Sequence, residues 1–214
     1  MPDQKIIYLD NNATTRPDER VINAMLPYFT DYYANANSAH LAGLCVNEAV
    51  ELAAWHTAGL IGAEEKEIIF TSGASESINL AIKGLASQNR KHIVTVATEH
   101  KAVLDTCLYL ESIGFEVSYL PVNSEGLLNL DLLNKTITNE TLMVIVMMVN
   151  NETGVIQDCK EIGNIVHSKN VLFMCDATQA AGKIPVDVKD LNIDFNKKLK
   201  NIQEIYDLGT TKNS

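Results

Sequence analysis

The 214-residue sequence has no apolar run near the ~18 residues that cross a bilayer, and its opening MPDQKIIYLD lacks the hydrophobic region of a signal peptide. Cations are scarce as well: 17 Lys and Arg against 27 Asp and Glu leave a net charge of −10. Nucleic-acid backbones and anionic membranes are held by clustered Lys and Arg, so neither is expected as a partner. A soluble, cytoplasmic protein acting on a small molecule is the expectation. Four cysteines, Cys45, Cys107, Cys159 and Cys175, are scattered without CxxC or zinc-ligand spacing. They are expected to be buried free thiols, and no metal site is expected.

What is present suits one globular domain with a real core, since 46% of residues are hydrophobic and 21% charged. The chain is organised around FTSGASESINLAIKG, Phe70 to Gly84. Ile68, Ile69 and Phe70 favour a strand, Thr71-Ser72-Gly73 a turn, and Ile78, Ala81 and Ile82 a helix by their period. Gly73 permits close backbone approach, and the amides of Ala74, Ser75 and Glu76 at a helix start suit an anion such as phosphate. An ordinary capped helix after a strand reads equally well from this stretch alone.

Elsewhere the pattern predicts a short extended piece over Ile6–Asp10, a helix over Asp18–Phe29, a loop over Tyr32–His40 and a helix from Leu44 to Ile61 closed by Gly62. Further strands are predicted at His92–Ala97, Phe115–Pro121, Met143–Val149 and Val171–Cys175. Helices at Lys101–Ile113, Leu130–Ile137 and Lys160–Ser168 separate them. Alternation of this kind predicts an α/β fold, a mainly parallel sheet with flanking helices whose ligands sit beyond the strands' carboxyl ends. Those ends read Thr71–Ser75, Thr98-Glu99-His100, Asn150-Asn151-Glu152 and Asp176–Gln179. Asp176 could simply cap a turn, His100 lie in an exposed loop, and the asparagines shape a turn. Taken together, an anion cradle, an imidazole, an amide pair and a carboxylate fit pyridoxal phosphate, with Asp176 facing the pyridine nitrogen.

The motifs YLDNNATT, NANSAH, FTSGASESINLAIKG, TEHKAVLDTC, VNNETGVIQD and DATQAAGKIPVDV resemble, in order, those of the pyridoxal-phosphate-dependent cysteine desulfurases of the NifS/IscS type, within the class V aminotransferase superfamily. The resemblance covers about residues 6–195. It implies an incomplete large domain of the aspartate-aminotransferase-like fold type I, with an N-terminal segment over residues 1–15, the domain over 16–195 and an unrelated tail over 196–214. It implies removal of sulfur from L-cysteine to give alanine and an enzyme persulfide, which feeds iron–sulfur cluster assembly or tRNA thiolation through a sulfur acceptor or scaffold protein. A homodimer is implied too.

Carried over by residue, Ala74 and Ser75 hold the cofactor phosphate. His100 stacks on the ring and serves catalysis as a proton shuttle, Asn151 and Gln179 lie near the substrate and the phenolic oxygen, and Asp176 pairs with the pyridine nitrogen. Two departures stand out. Asn35-Ala36-Asn37-Ser38 replaces the Asn-Pro-Ser-Ser of many relatives, and NKKLKNIQEIYDLGTTKNS follows Phe195 where the family has Ser-Gly-His-Lys. The family's cofactor-binding lysine aligns with Ile202, and none of the four cysteines aligns with the persulfide cysteine. The 214-residue chain is therefore expected to be inactive, a truncated remnant. A fragment of another class V aminotransferase or of a selenocysteine lyase is the alternative.

Overall fold

A computed structural model describes residues 7–9, 11, 15–85 and 89–193. The tail over 196–214, with Ile202 and the nearby lysines, lies outside the described residues. So do Ile6 and Asp10 of the Ile6–Asp10 piece, and Ile7–Leu9 between them form no strand.

In chain order the elements are α1 (Glu19–Met25), α2 (Pro27–Thr30), α3 (Leu41–Ile61), a short 3-10 turn (Glu65–Glu67), α4 (Ala74–Gly84), β1 (His92–Val96), α5 (Lys101–Ser112), β2 (Glu116–Leu120), α6 (Leu130–Thr136), β3 (Thr141–Met147), α7 (Cys159–Ser168) and β4 (Leu172–Asp176). The four strands form one sheet in the order β2-β1-β3-β4, and every pairing is parallel. Every residue of β1 and β3 is buried. Both faces of these strands are therefore covered, as in parallel sheets carrying helices on each side. Ile93, Val94, Met143, Val144, Ile145 and Phe173 have no exposed surface and form the centre of the core.

Polar side chains also enter the sheet, each with partners. His92 joins three strands, its Nδ1 bonded to Thr141 Oγ1 at 2.8 Å and its Nε2 to Ser118 Oγ at 2.9 Å. Burial pushes the His92 imidazole below its ordinary pKa, against the charge of Glu116.

Local chemistry accounts for the helix limits. Asp18, Asn129 and Asp158 accept backbone N–H bonds at the starts of α1, α6 and α7. The two histidines His40 and His100 do the same for α3 and α5. Gly62 closes α3 at φ 72°, a left-handed conformation that glycine adopts without cost, and a Cβ there would stand 2.6 Å from Asp187 Oδ2.

The structure corrects four expectations. The run Ile68–Phe70 is not a strand of the sheet: Ile68 is extended but the segment pairs with nothing among the described residues, and Phe70 is 46% exposed. β-favouring residues form a strand only beside a strand partner. The single helix expected over Asp18–Phe29 is two, because Pro27 carries no N–H to continue α1 and instead opens α2. α3 begins at Leu41, three residues before the expected Leu44, because His40 caps it. Cys45 is exposed, whereas Cys107, Cys159 and Cys175 are buried as expected.

Helix α7 approaches the loop before residue 194 very closely. A Cβ at Gly163 would lie 2.2 Å from the backbone oxygen of Leu191, which cannot rotate away. At Gly59, within α3, a Cβ would meet nothing within 4 Å. Gly59→Ala should stabilise the fold by about 0.5–1 kcal/mol through reduced backbone entropy of the unfolded chain, and Gly163→Ala should destabilise it by about 1–3 kcal/mol by overpacking. Urea midpoints check this pair; equal midpoints would show that α7 does not pack so tightly.

Candidate active site

Because the sheet is parallel, the carboxyl ends of its strands share one edge. β4 ends on Asp176 itself, only 2% exposed. Its Oδ1 accepts a bond from the Thr178 amide at 3.0 Å, and its backbone oxygen accepts from the Met148 amide at 2.9 Å. Burial pushes the Asp176 carboxyl above the ordinary carboxylate range. Hydrogen bonds from Thr178 and the charge of His100 act in the opposite direction. His100, at the end of the β1 loop, is thus within electrostatic reach of Asp176, with β3 between their strands.

The His100 ring is exposed, and its Nδ1 accepts a bond from the Ala102 amide at 3.1 Å. That acceptor role puts the proton of the neutral ring on Nε2. Its neighbour Glu99 is 7% exposed. Glu99 Oε1 accepts from the Met147 amide at 2.6 Å, and Oε2 is buried with no hydrogen-bond partner. Burial, the Met147 bond notwithstanding, pushes the Glu99 carboxyl well above its ordinary value, and Asp176 and Cys159 push it further.

Two asparagines follow β3. Asn150 is fully engaged in shaping the loop: Oδ1 accepts from the amides of Glu152 and Thr153 at 3.0 and 2.9 Å and from Thr153 Oγ1 at 3.1 Å, while Nδ2 donates to the Thr98 oxygen at 3.0 Å. That last bond ties the β3 loop to the loop carrying His100. Asn151 is half-buried. Glu99, His100, Asn150, Asn151 and Thr153 line one cleft of about 500 Å³.

The start of α4 is a separate feature of the same chain. Gly73 is its N-cap and contributes no side-chain bond. Ser72 donates both its amide, at 2.7 Å, and its hydroxyl, at 2.5 Å, to Glu76 Oε2. Those bonds hold the Glu76 carboxyl below its ordinary pKa. Thr71 Oγ1 and Ser77 Oγ lie 2.6 Å apart and brace the turn. Ala74 is half-buried and Ser75 exposed. The first amides of a helix have no partner within it, and here no side chain caps them, so Ala74 and Ser75 offer donors at the positive end of the helix dipole.

Of the residues singled out in the sequence, His100 and Asn151 share the cleft, whose lining does not include Asp176 at the end of β4. Ser75 and Ala74 sit at the α4 start, and Gln179 follows β4 with its Oε1 accepting from Lys183 Nζ at 2.6 Å. Sequence reasoning gave no role to Glu99 or to the loop tie of Asn150. The only signal was the polar composition of each strand end, which does not separate a structural amide from a free one.

A parallel sheet with helices on its faces, a buried carboxyl ending β4 and an imidazole capping α5 agree with a partial domain of fold type I, the fold of the solved structures it resembles. Residues 7–197 match the family described as Aminotransferase class-V, and the chain belongs to that family. It is 53% identical over 192 residues to the cysteine desulfurase IscS of Ehrlichia chaffeensis, covering 88% of this chain and 47% of that protein. A probable mitochondrial cysteine desulfurase of Dictyostelium discoideum is 52% identical over 193 residues, covering 88% and 43%. Among solved structures, SspA in complex with cysteine superposes with a TM-score of 0.86 at 40% identity, covering 88% of this chain and 55% of that one. The chain thus spans about half the length of the relatives it matches.

Proposed function

We propose that this chain forms the N-terminal share of a pyridoxal phosphate site in a cysteine desulfurase. The observation that carries the reading is the buried Asp176 carboxyl closing β4 within electrostatic reach of His100, on the sheet edge where such folds bind ligands. A buried carboxylate with few donors suits a cationic ring nitrogen. When bound, pyridoxal phosphate would supply the electron-withdrawing ring that makes a substrate Cα–H acidic.

This chain's own residues have distinct tasks in that proposal. The Ala74 and Ser75 amides bind the phosphate at the α4 start. His100 covers the ring and serves as the proton shuttle: with the Ala102 cap released from Nδ1, the ring takes up a proton at Nδ1 and gives one up from the outward Nε2. Asp176 keeps the ring nitrogen protonated, and Asn151 and Gln179 orient the substrate and the phenolic oxygen. L-Cysteine is the proposed substrate, and a sulfur acceptor or scaffold protein and a second copy of the chain are the proposed partners. Nucleic acid and membrane are not; among the described residues no helix is long and apolar enough to cross a bilayer. A cytoplasmic location belongs to the same proposal, as do the boundaries 1–15, 16–195 and 196–214.

Titration of the 214-residue chain with pyridoxal phosphate, followed by absorbance, tests the cofactor assignment. Saturable binding that inorganic phosphate competes away is expected; binding that does not saturate, or that phosphate leaves unchanged, would overturn it.

A further inference from the structure

Glu99 is the buried charge-bearing group for which the proposed site has no use. It follows the end of β1, directly precedes His100, and is clamped through Oε1 to the Met147 amide, the last residue of β3. Met147 is in turn the register partner of Asp176. One side chain therefore ties the strand end before His100 to the strand that pairs with β4 at Asp176.

Ionised, Glu99 would place a second buried negative charge beside Asp176. The other titratable groups that bear on it are the thiols of Cys159 on α7 and Cys107 on α5, neither a cation. The two carboxyls are unequally served. Asp176 has hydrogen bonds from both the amide and the side chain of Thr178 and the nearby imidazole of His100. Glu99 has a single amide donor, and its Oε2 has none. An unpartnered buried oxygen is costly as part of a carboxylate and much less so as a hydroxyl. A shared proton belongs on Glu99 Oε2.

We propose that Glu99 is a positioning residue: as a neutral carboxylic acid it locks the end of β1 to the end of β3, fixing His100 against Asp176 and leaving the negative charge of the buried pair on Asp176. The consequence for cofactor binding rests on the pyridoxal phosphate reading, whereas the charge state does not.

Two variants separate these parts. Glu99→Gln keeps an acceptor oxygen and neutrality, and Glu99→Ala removes the clamp. Infrared spectra of the cofactor-free 214-residue chain at neutral pH should show a protonated-carboxyl C=O band that moves on isotopic labelling of glutamate carboxyls and vanishes in Glu99→Gln. Absence of that band, or its survival in Glu99→Gln, would overturn the proposal. In pyridoxal phosphate titrations Glu99→Gln should bind like the parent, and Glu99→Ala, with its fold checked by circular dichroism, should bind roughly tenfold more weakly or worse, the scale of a lost supporting contact. Parental affinity in Glu99→Ala would refute the positioning role. Should the parent itself fail to bind, the cofactor reading falls and the infrared band alone decides the state of Glu99.

Discussion

Residues 1–214, supplied with pyridoxal phosphate and L-cysteine, should release no sulfide above the rate of the free cofactor. Catalysis of this class uses an internal lysine to hold the cofactor covalently and to move the Cα proton, and loss of such a group lowers rates by orders of magnitude. By the resemblance read in the sequence, that lysine is proposed to fall at Ile202, whose side chain can do neither. Lys198 and Lys200 are close in sequence, but Leu199, Ile202, Ile205 and Leu208 fall at helical spacing. A lysine two residues away in sequence does not occupy that position. Borohydride reduction, digestion and mass spectrometry should find only scattered, substoichiometric pyridoxyl-lysine. Stoichiometric label on Lys200 together with sulfide release would refute the inactive-chain proposal.

The second large effect expected is self-association. Leu41, Trp55 and Phe29 are 77%, 59% and 72% exposed, and Leu44, Val50, Leu52 and Tyr33 join them in leaving the outside of α1 to α3 rich in apolar surface. The segment Ile68–Phe70, extended at Ile68, pairs with no strand among the described residues. Apolar surface on this scale is unusual for a free monomer, and unpaired extended segments invite pairing with other chains. Sedimentation should therefore show species well above the 23.5 kDa of one chain, and Trp55→Glu combined with Phe29→Glu should shift the distribution toward monomer. A monodisperse monomer that melts cooperatively would contradict this.

The sheet was legible in the sequence wherever burial covers both faces. Met143–Val149 reads as a continuous apolar run because β3 has no solvent side, and His92–Ala97 reads as a strand with two buried polar residues, His92 and Thr95, in it. Helix ends were legible where glycine must turn left-handed, as at Gly62 and Gly114. Ile68–Phe70 was misread because its residues carry β propensity while its fate depends on a neighbour that no local pattern reveals. The candidate site was legible as polar strand ends, and Asp176 and His100 were singled out from them. Glu99 was not, because the sequence shows a charged residue beside a loop and only the fold shows that its carboxyl is turned inward under Met147.

Pyridoxal phosphate affinity, measured on the parent chain, Asp176→Ala, His100→Ala and the control Glu140→Gln, tests the central claim most directly. If the carboxyl edge of this sheet is the cofactor site, the first two substitutions should weaken binding by roughly tenfold or more, since each removes a ring partner worth about 1.4 kcal/mol or more. Glu140→Gln, at an exposed position before the amino end of β3, should leave it unchanged. Equal affinity in all four proteins would mean that the cofactor does not bind at this edge.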